Sequence, residues 1–558
     1  MNLRNFQQQL KSDNIEAFLV TRNNMYLNQD VKEEENQLLK LSGFSGSQGY
    51  MIVTQKKAWL LVDSRYSIQA RIETNEKETE VIDIKSFFPE IIDLLKNQNI
   101  KTLTCNPWCI SVYDWENFAK KGINLVANEN ILQNVVIRNN NIFEHKIQFT
   151  GKSSHDKCLQ VANALSEKYG AMLITSADEI SWIANLRSGD LEHSPVLRAY
   201  GLLSKQGVLT IFADNCSYSN IRPLSELKDE LLKYTGQTIL IERNFTPQKI
   251  LSLIPEGVKT DTRGQNPLTP FKLMKNDIEI DGFKKAHIRD GIAMVKFLHW
   301  FEHNYKGKTE IDIVKKLKDF RTQDNMFFAD SFSTIAASGK NAAIVHYNPK
   351  ENCSSIIQED TVLLIDSGAH YYDGTTDVTR TIAVGNPSDE IKNAFTQVLK
   401  AHIALSSLTF PKDTPAYALD AICRSELWKN YKNYGHGTGH SVGHFLNVHE
   451  SSFGLSPYNS KFAEENYITS IEPGYYKENE YGIRIENMVY LEQTNNLDFL
   501  KFKNLTFVPI DKRLINAYLL SSEEQNWLNN YHKEVVDCLA PYLDKALSDW
   551  LKDICSPL

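Results

Sequence analysis

The chain has 558 residues, too many for one hydrophobic core, and its length predicts about three domains. Hydrophobic residues make up 42% of the chain and charged residues 23%, as in ordinary globular proteins. The net charge of -8 and the lack of a long basic block argue against nucleic acid as a partner.

No stretch of the sequence predicts export or a membrane span. The N-terminus is polar and lacks the apolar core of a signal peptide. No apolar run approaches the ~18 residues that a membrane-spanning helix needs. The eight cysteines have no paired spacing, which predicts reduced thiols and a cytoplasmic location.

The first half of the chain contains a faint internal repeat. AFLVT at 17–21 corresponds to AMLIT at 171–175, and the hairpin-like run at 50–64 corresponds to that at 200–214. Because the two copies are offset by about 150 residues throughout, the repeat predicts two related α/β domains, 1–138 and 139–265. Chance similarity between short strands is the alternative. The polar stretch RNNNIFEHKIQFTGKSSHDK between them is typical of a linker.

A third domain is predicted over residues 266–495. It opens with the run KLMKNDIEIDGFKKAHIRDGIAMVKFLHWFEH, which predicts a long amphipathic helix. The apolar residues at helical spacing in this run are Ile288, Ile292, Val295 and Leu298.

Residues 496–558 are predicted to form a C-terminal extension of the third domain. Ser521 and Glu524 have the spacing of a capping box at the start of a helix. One face of that helix carries Leu528, Tyr531, Val535 and Cys538. Such a face can pack on its own domain or on a second copy of the chain, and the sequence leaves both open.

Four acidic residues and one histidine of the third domain suit metal binding: Asp366, Asp377, His440, Glu472 and Glu486. The runs TVLLID and DVTRTIAV would place the two aspartates side by side in a hairpin, and the two glutamates flank a second turn. This oxygen-rich set with one nitrogen suits a pair of divalent ions such as Mn²⁺ better than a thiolate-type zinc site. Acidic surface turns are the alternative.

These segments resemble the pita-bread metallopeptidases, the group of methionine aminopeptidase, prolidase and aminopeptidase P. The most similar runs are SFSTIAASGKNAAIVHYNP, DSGAHYYDGTTDVTRTIAVG, YGHGTGHSVGHFLNVHE and IEPGYYKENEYGIRIEN, which resemble the three-domain X-Pro aminopeptidases. LSGFSGSQG, VDSRYSIQA and ADEISWIANLRSGD extend the resemblance through nearly the whole chain. It implies an α/β (α+β) fold: two related creatinase-like domains, then a pita-bread catalytic domain.

The resemblance also implies a chemistry and a cofactor. The family releases the N-terminal residue from peptides with proline in the second position, by attack of a hydroxide that bridges two metal ions. Mn²⁺ is the expected metal, with Zn²⁺ or Co²⁺ as other options, and the C-terminal extension of the family contributes to homodimer contacts. One ion would be held by Asp366, Asp377 and Glu486, and the other by Asp377, His440, Glu472 and Glu486.

Further roles follow from the same resemblance. Glu472 would accept a proton, and His346 and His449 would donate hydrogen bonds to the substrate carbonyl. His436 would approach the proline ring or support its loop, and Arg484 would orient a ligand carboxylate. Gly437 and Gly439 predict a loop here and not a zinc-binding helix.

Some residues depart from the family pattern. Ser441 and His444 replace Gly and a small residue, and Lys340 stands where proline is usual. They put substrate preference in doubt and remove no ligand. A prolidase that cleaves X-Pro dipeptides is one alternative function. A non-catalytic peptide-binding protein of the same fold is another.

Overall fold

The chain forms two compact units, which the computed structural model describes over residues 1–28, 30–85, 87–132, 139–216, 218–351 and 354–558. The first unit contains 1–146, 152–191 and 195–272, and the second contains 147–151, 192–194 and 273–558. Among the described residues, no helix is both long and apolar enough to cross a bilayer.

The first unit begins with a six-stranded sheet. Its strands are β1 (Ala17–Thr21), β2 (Tyr50–Thr54), β3 (Ala58–Val62), β4 (Glu80–Asp83), β5 (Thr102–Cys105) and β6 (Asn124–Ala127). The helices of this stretch are α1 (Leu3–Ser12), α2 (Gln37–Ser42), α3 (Ser67–Glu73), α4 (Phe87–Asn97) and α5 (Val112–Lys120). The order is β4-β3-β2-β1-β5-β6, with β2 antiparallel to β1 and β3 and the other pairs parallel. Along β1, Phe18 and Leu19 enter different apolar clusters, so both faces of the sheet are covered.

A second six-stranded sheet completes the first unit. The strands that follow in the chain are β7 (Ile142–Glu144), β8 (Tyr169–Ile174), β9 (Leu186–Ser188), β10 (Tyr200–Ser204), β11 (Leu209–Phe212), β12 (Ile221–Arg222), β13 (Thr238–Ile241) and β14 (Lys259–Asp261). The helices are α6 (Ile147–Thr150, in the second unit), α7 (Ser154–Ala164), α8 (Ala177–Ala184), α9 (Leu227–Leu232), α10 (Gln248–Leu253) and α11 (Leu268–Leu273). The sheet order is β12-β11-β10-β8-β13-β14, and β7 pairs with β9 separately.

The predicted duplication is confirmed by the topology of the two sheets. The strands β1 and β8 of the repeat segments occupy equivalent places in the two sheets, as do their partners β2 and β10, and both of these pairs are antiparallel. The remaining pairs also agree in order and in direction from one sheet to the other. Six matched strands with matched directions exclude chance similarity of short strands.

The stretch predicted as a linker is structured, so that prediction was wrong. It contributes β7, α6 and the start of α7, whose N-cap Ser153 accepts a hydrogen bond from the Asp156 amide. Polar composition concealed a short strand and two helix starts, because Ser and Asp at such positions also cap helices. Residue 138, where the stretch begins, lies outside the described residues. So does Cys353, and the seven described cysteines form no disulfide with one another.

The second unit contains fourteen described strands in four sheets. They are β15 (Phe327–Asp330), β16 (Ile335–Ser338), β17 (Thr361–Ser367), β18 (Ala369–Tyr371), β19 (Gly374–Thr375), β20 (Val378–Val384), β21 (Thr409–Pro411), β22 (Gly439–Ser441), β23 (Glu450–Leu455), β24 (Ile468–Ile471), β25 (Gly474–Lys477), β26 (Tyr481–Arg484), β27 (Asn487–Gln493) and β28 (Phe499–Asn504). The sheets have the orders β15-β18-β19, β16-β17-β20, β21-β28-β27-β24-β22-β23 and β25-β26.

The helices of this unit are α12 (Asp277–Asn304), α13 (Glu310–Arg321), α14 (Asp389–Ser406), α15 (Ala416–Trp428), α16 (Ser522–Leu539) and α17 (Lys545–Ile554). The predicted long helix is α12, which begins at a capping box formed by Asn276 and Glu279. Of the predicted apolar face, Val295 is fully buried, whereas Ile288, Ile292 and Leu298 are half-buried. The fully buried side includes Met294 and Phe297, because α12 packs between two apolar clusters and not against one.

The predicted C-terminal helix is α16, and its capping box between Ser521 and Glu524 is present. Its apolar face packs on its own unit. Leu528, Tyr531 and Val535 are buried in the cluster that also contains residues of α14 and α15. This face is therefore occupied within one chain, and any contact between copies would use other surfaces.

Acid should destabilise the second unit through His532 of α16. Its Nε2 accepts a hydrogen bond from the amide of Ile510 (3.1 Å), and burial lowers its pKa from 6.5 to about 4. The imidazole must be neutral in the folded protein. Its contribution to the free energy of unfolding is therefore complete above pH ~6.5 and is lost as pH falls toward ~4. On acidification from about pH 7.5 to about pH 5, protonation of this histidine in the unfolded chain should lower the free energy of unfolding by about 2 kcal/mol.

Urea titrations of wild type and His532→Gln at both pH values would measure this effect. Glutamine keeps an acceptor oxygen but does not titrate, so its loss of stability on acidification should be smaller by that amount. His303→Gln, at an exposed position on α12, is the control and should lose as much stability on acidification as wild type does. An equal loss of stability on acidification in wild type and His532→Gln would contradict this role of His532.

Candidate metal centre

Asp366 and Asp377 are brought together by the β17/β20 pair, as predicted. Asp366 lies opposite Thr379 in the antiparallel register, and Asp377 directly precedes β20. The connection is longer than a simple turn, because it includes the paired strands β18 and β19. It folds back so closely that a Cβ on Gly368 would lie 2.0 Å from the Thr376 carbonyl oxygen, so only glycine fits there.

The two glutamates enter from the neighbouring strands. Glu472 follows β24, and its amide donates to the Thr438 carbonyl (2.7 Å). Glu486 lies between β26 and β27, and its amide donates to the carbonyl of Thr379 in β20 (3.2 Å). The Thr379 hydroxyl in turn donates to Glu486 Oε2 (2.8 Å). The β25/β26 hairpin thus separates the two acids in sequence and returns the chain to the same place.

His440 completes the cluster from β22. The segment is not helical, as predicted, but it is a short strand and not the predicted loop. Its Nδ1 lies 3.1 Å from the Ser441 carbonyl oxygen, which fixes that nitrogen as the donor. Its Nε2 lies 3.4 Å from Asp377 Oδ2 and 3.5 Å from Glu472 Oε1. Ligand atoms of Asp377, His440 and Glu486 all lie within 4.8 Å of one another. A metal-binding histidine commonly has this arrangement, with one nitrogen anchored and the other aimed at the site.

The electrostatics of the cluster call for cations. Burial, and then the neighbouring carboxylates, raise the pKa of Asp377 and of Glu486 well above the usual range. Burial also raises the pKa of Glu472, which His440 and Arg484 oppose. Within the described part of the chain, Asp366 Oδ1 is buried and has no hydrogen-bond partner. Uncompensated, mutually repelling oxygens of this kind fit divalent ions.

Arg484 orients Asp366, as predicted for a residue behind a ligand. Its Nη2 donates to Asp366 Oδ2 (2.6 Å), and its Nη1 donates to the hydroxyl of Tyr476 (2.6 Å). That hydroxyl also lies 2.8 Å from Nε2 of His436, whose Nδ1 is 2.8 Å from the Gly437 carbonyl oxygen. Sequence reasoning missed Tyr476. Its signal was the even spacing from Glu472 along an extended run, which places both side chains on one side.

The two remaining predicted histidines lie beside the cluster. His449 is exposed, and its ring centroid is 4.2 Å from that of His440. His346 is half-buried and follows Val345, whose carbonyl accepts a hydrogen bond from Arg484 Nη2 (3.4 Å). These contacts gather eight of the predicted site residues around one place, and they bring the backbone beside the ninth, His346, next to Arg484.

The family departures lie in the supporting structure. Ser441 is buried, and its hydroxyl donates to the Phe453 carbonyl (3.0 Å). His444 is buried against Phe283 of α12, with Nε2 2.9 Å from the Asp373 carbonyl oxygen. Lys340 is exposed in a short 3-10 helix, Gly339–Ala343. An effect of these residues on substrate preference stays a prediction.

Comparison with known proteins identifies the family. Residues 281–493 match metallopeptidase family M24, and 498–558 match the C-terminal region of that family. Residues 2–135 and 133–279 each match a creatinase/prolidase N-terminal domain. A probable Xaa-Pro aminopeptidase P of Laccaria bicolor is 33% identical, over 100% of this chain and 93% of the relative. The chain belongs to metallopeptidase family M24. Like its family, it is a hydrolase.

Two further comparisons cover at least 98% of the chain of this M24 peptidase. Xaa-Pro aminopeptidase 1 of Dictyostelium discoideum is 32% identical over 98% of this chain and 95% of its own. A crystal structure of a Caenorhabditis elegans X-prolyl aminopeptidase, described as cytosolic with a di-nuclear active site, aligns with TM-score 0.92 and 29% identity. That alignment covers 100% of this chain and 99% of the worm enzyme. The resemblance to X-Pro aminopeptidases and the predicted fold class, including the pita-bread domain, are confirmed.

Proposed function

We propose that this M24 peptidase releases the N-terminal residue from peptides whose second residue is proline. The observation that carries the proposal is the cluster of Asp377, His440 and Glu486, whose ligand atoms converge within 4.8 Å. It occurs in a chain that resembles X-Pro aminopeptidases from end to end. Relatives of similar fold that lack catalysis would have no reason to keep such a costly arrangement of buried carboxylates.

We assign two divalent ions to this cluster. One would be held by Asp366, Asp377 and Glu486, and the other by Asp377, His440, Glu472 and Glu486. The unpartnered Oδ1 of Asp366 and the raised carboxyl pKa values of Asp377 and Glu486 support the assignment. Mn²⁺ suits carboxylates combined with one imidazole, and Zn²⁺ or Co²⁺ are the other candidates.

The residues around the ions divide the remaining work. When bound, a pair of divalent ions supplies Lewis acidity, which lowers the pKa of water and polarises a carbonyl. Glu472 accepts a proton from water, since its Oε1 lies within the cluster, 3.5 Å from His440 Nε2. His346 and His449 donate hydrogen bonds to the substrate carbonyl oxygen and stabilise its developing charge. The contacts of His436 with Tyr476 and Gly437 support a loop-supporting role for that histidine.

Proline selectivity is the direct test of the proposal. An X-Pro bond has no N–H, and its ring is rigid, so a pocket for the ring replaces the hydrogen bond on which strand-docking proteases rely. Alanine would leave part of that pocket empty, and a few missing methylenes are worth ~1–3 kcal/mol. We expect kcat/KM for Ala-Pro-Ala to exceed that for Ala-Ala-Ala by roughly 10- to 200-fold.

The dipeptide Ala-Pro separates this proposal from its neighbours. Its free carboxylate would lie where a longer peptide continues, so it should be a poor substrate. If Ala-Pro proved the best of the three, a prolidase activity would replace the one proposed. If all three were inert with Mn²⁺ bound, a peptide-binding function would be favoured instead.

Assembly and location belong to the same proposal. Similarity to a worm enzyme described as cytosolic supports a cytoplasmic location for this chain. A homodimer stays a prediction, which sedimentation velocity would test directly. The acidic net charge supports peptides, and not nucleic acid, as partners.

A further inference from the structure

The carboxylate of Glu310 is fully buried at the first position of α13 and accepts four hydrogen bonds. Oε1 accepts from the Ser338 amide (2.8 Å) and from Asn341 Nδ2 (2.9 Å). Oε2 accepts from the Tyr347 hydroxyl (2.7 Å) and from the Ser355 amide (2.9 Å). All four donors come from one later segment of the chain, so a single side chain ties that segment at four points.

Capping of α13 does not explain this carboxylate. The N-terminus of the helix is already capped by Thr309 and Asp312, which form a complete capping box. Both oxygens of Glu310 accept hydrogen bonds from outside the helix. A buried carboxylate is expensive unless its lone pairs are satisfied, and here donors from outside its own helix satisfy them.

The segment that Glu310 holds contains His346 and reaches Arg484, which also donates to Asp366. Tyr347, one of the four donors, is the next residue after His346. On the other side, Val345 accepts from Arg484. The segment also packs tightly on β26, since a Cβ on Gly482 would lie 1.8 Å from the Ala342 carbonyl oxygen. The segment around His346 is therefore fixed between the Glu310 carboxylate and β26, the strand that ends at Arg484.

We propose that Glu310 is a positioning residue, which sets the location of the His346 ring through these four hydrogen bonds. The inference rests on the proposed function of His346 as a donor to the substrate carbonyl. Glu310 itself touches neither substrate nor metal. A displacement of a reacting group by about 1 Å can lower a rate about 100-fold, so distant anchoring of this kind matters to catalysis.

Glu310→Gln is the decisive variant, because it keeps the shape and changes one acceptor into a donor. Each oxygen of Glu310 holds one backbone N–H, from Ser338 on one side and Ser355 on the other. A glutamine amide therefore faces a backbone donor in either orientation. We expect kcat for Ala-Pro-Ala to fall roughly 10- to 100-fold with KM and bound metal unchanged. Asp312→Asn, which weakens the cap of the same helix, is the matched control and should leave kcat within about twofold.

A second readout does not depend on activity. Hydrogen exchange of the peptide 338–347 should quicken in Glu310→Gln, while the peptide 361–384 that carries Asp366 and Asp377 should not change. If wild type fails to cleave X-Pro peptides, the proposed function fails, and exchange alone decides whether Glu310 holds the loop. Unchanged exchange in 338–347 would overturn the inference.

A double-mutant comparison separates positioning from general damage. In a His346→Ala background, Glu310→Gln should change kcat by less than about twofold, because the group it positions is gone. Effects that multiply would overturn the proposal. If Glu310→Gln does not fold, Tyr347→Phe removes only one of the four donors. It should lower kcat by about 2- to 10-fold, and no change in kcat would count against the proposal.

Discussion

Dialysis against a chelator should abolish peptidase activity, and Mn²⁺ should restore it better than Mg²⁺. Without cations, burial and mutual repulsion favour protonation of Asp377 and Glu486. The site would then hold no metal ions to activate water or polarise the substrate carbonyl. The imidazole favours Mn²⁺, because Mg²⁺ strongly prefers oxygen ligands and retains its water. Activity before and after dialysis, with each metal titrated back, measures the effect.

Metal binding should also be visible without a substrate. An ion that binds only the folded chain stabilises it by about 2.7 kcal/mol at a hundredfold excess over its Kd. Thermal unfolding with and without Mn²⁺ should therefore show a rise in Tm. Glu486→Gln should lose that rise and the activity together. Glu492→Gln, at a half-buried position on β27 that pairs with Lys501, is the matched control and should retain both. Full activity in metal-free protein would exclude the mechanism.

The proposed ligands Asp366 and Asp377 were predictable because they stand beside two recognisable strands. The runs TVLLID and DVTRTIAV predict a hairpin, and the acids at their facing ends must then lie close together. The strands β18 and β19 inside the connection were not predicted. They are only three and two residues long, and their pairing depends on the close approach of Gly368 to Thr376. Nothing in the local composition signals such an approach.

Long-range polar contacts were the part that sequence reasoning could not supply. Tyr476 and Glu310 look ordinary in the sequence, one an aromatic in a strand and the other an acid in a first helical turn. Their partners, Arg484 and the segment around His346, become neighbours only after the sheets assemble. The burial of α12 shows the same limit, since periodicity predicts one apolar face and the helix packs between two clusters.

His449→Ala should lower kcat by roughly 100-fold or more while both metals remain bound. The ring is exposed and lies 4.2 Å from His440, yet the neighbouring residues fix its backbone firmly. Val448 is buried in an apolar cluster on one side. On the other side, buried Glu450 forms an ion pair with Lys275 (2.5 Å). A donor held this way is ready before substrate arrives, so its loss should act on the transition state and leave KM nearly unchanged.

Metal content and kinetics of His449→Ala, compared with wild type, decide between two roles for this ring. As a hydrogen-bond donor it can be removed without disturbing Asp377 or His440, and the protein should retain its full metal load. Loss of metal with the substitution would make His449 a ligand and overturn the assignment. His303→Ala, at an exposed position on α12, is the control for removal of an imidazole and should leave kcat unchanged. Because proximity to His440 is compatible with either role, the metal content is the measurement that discriminates between them.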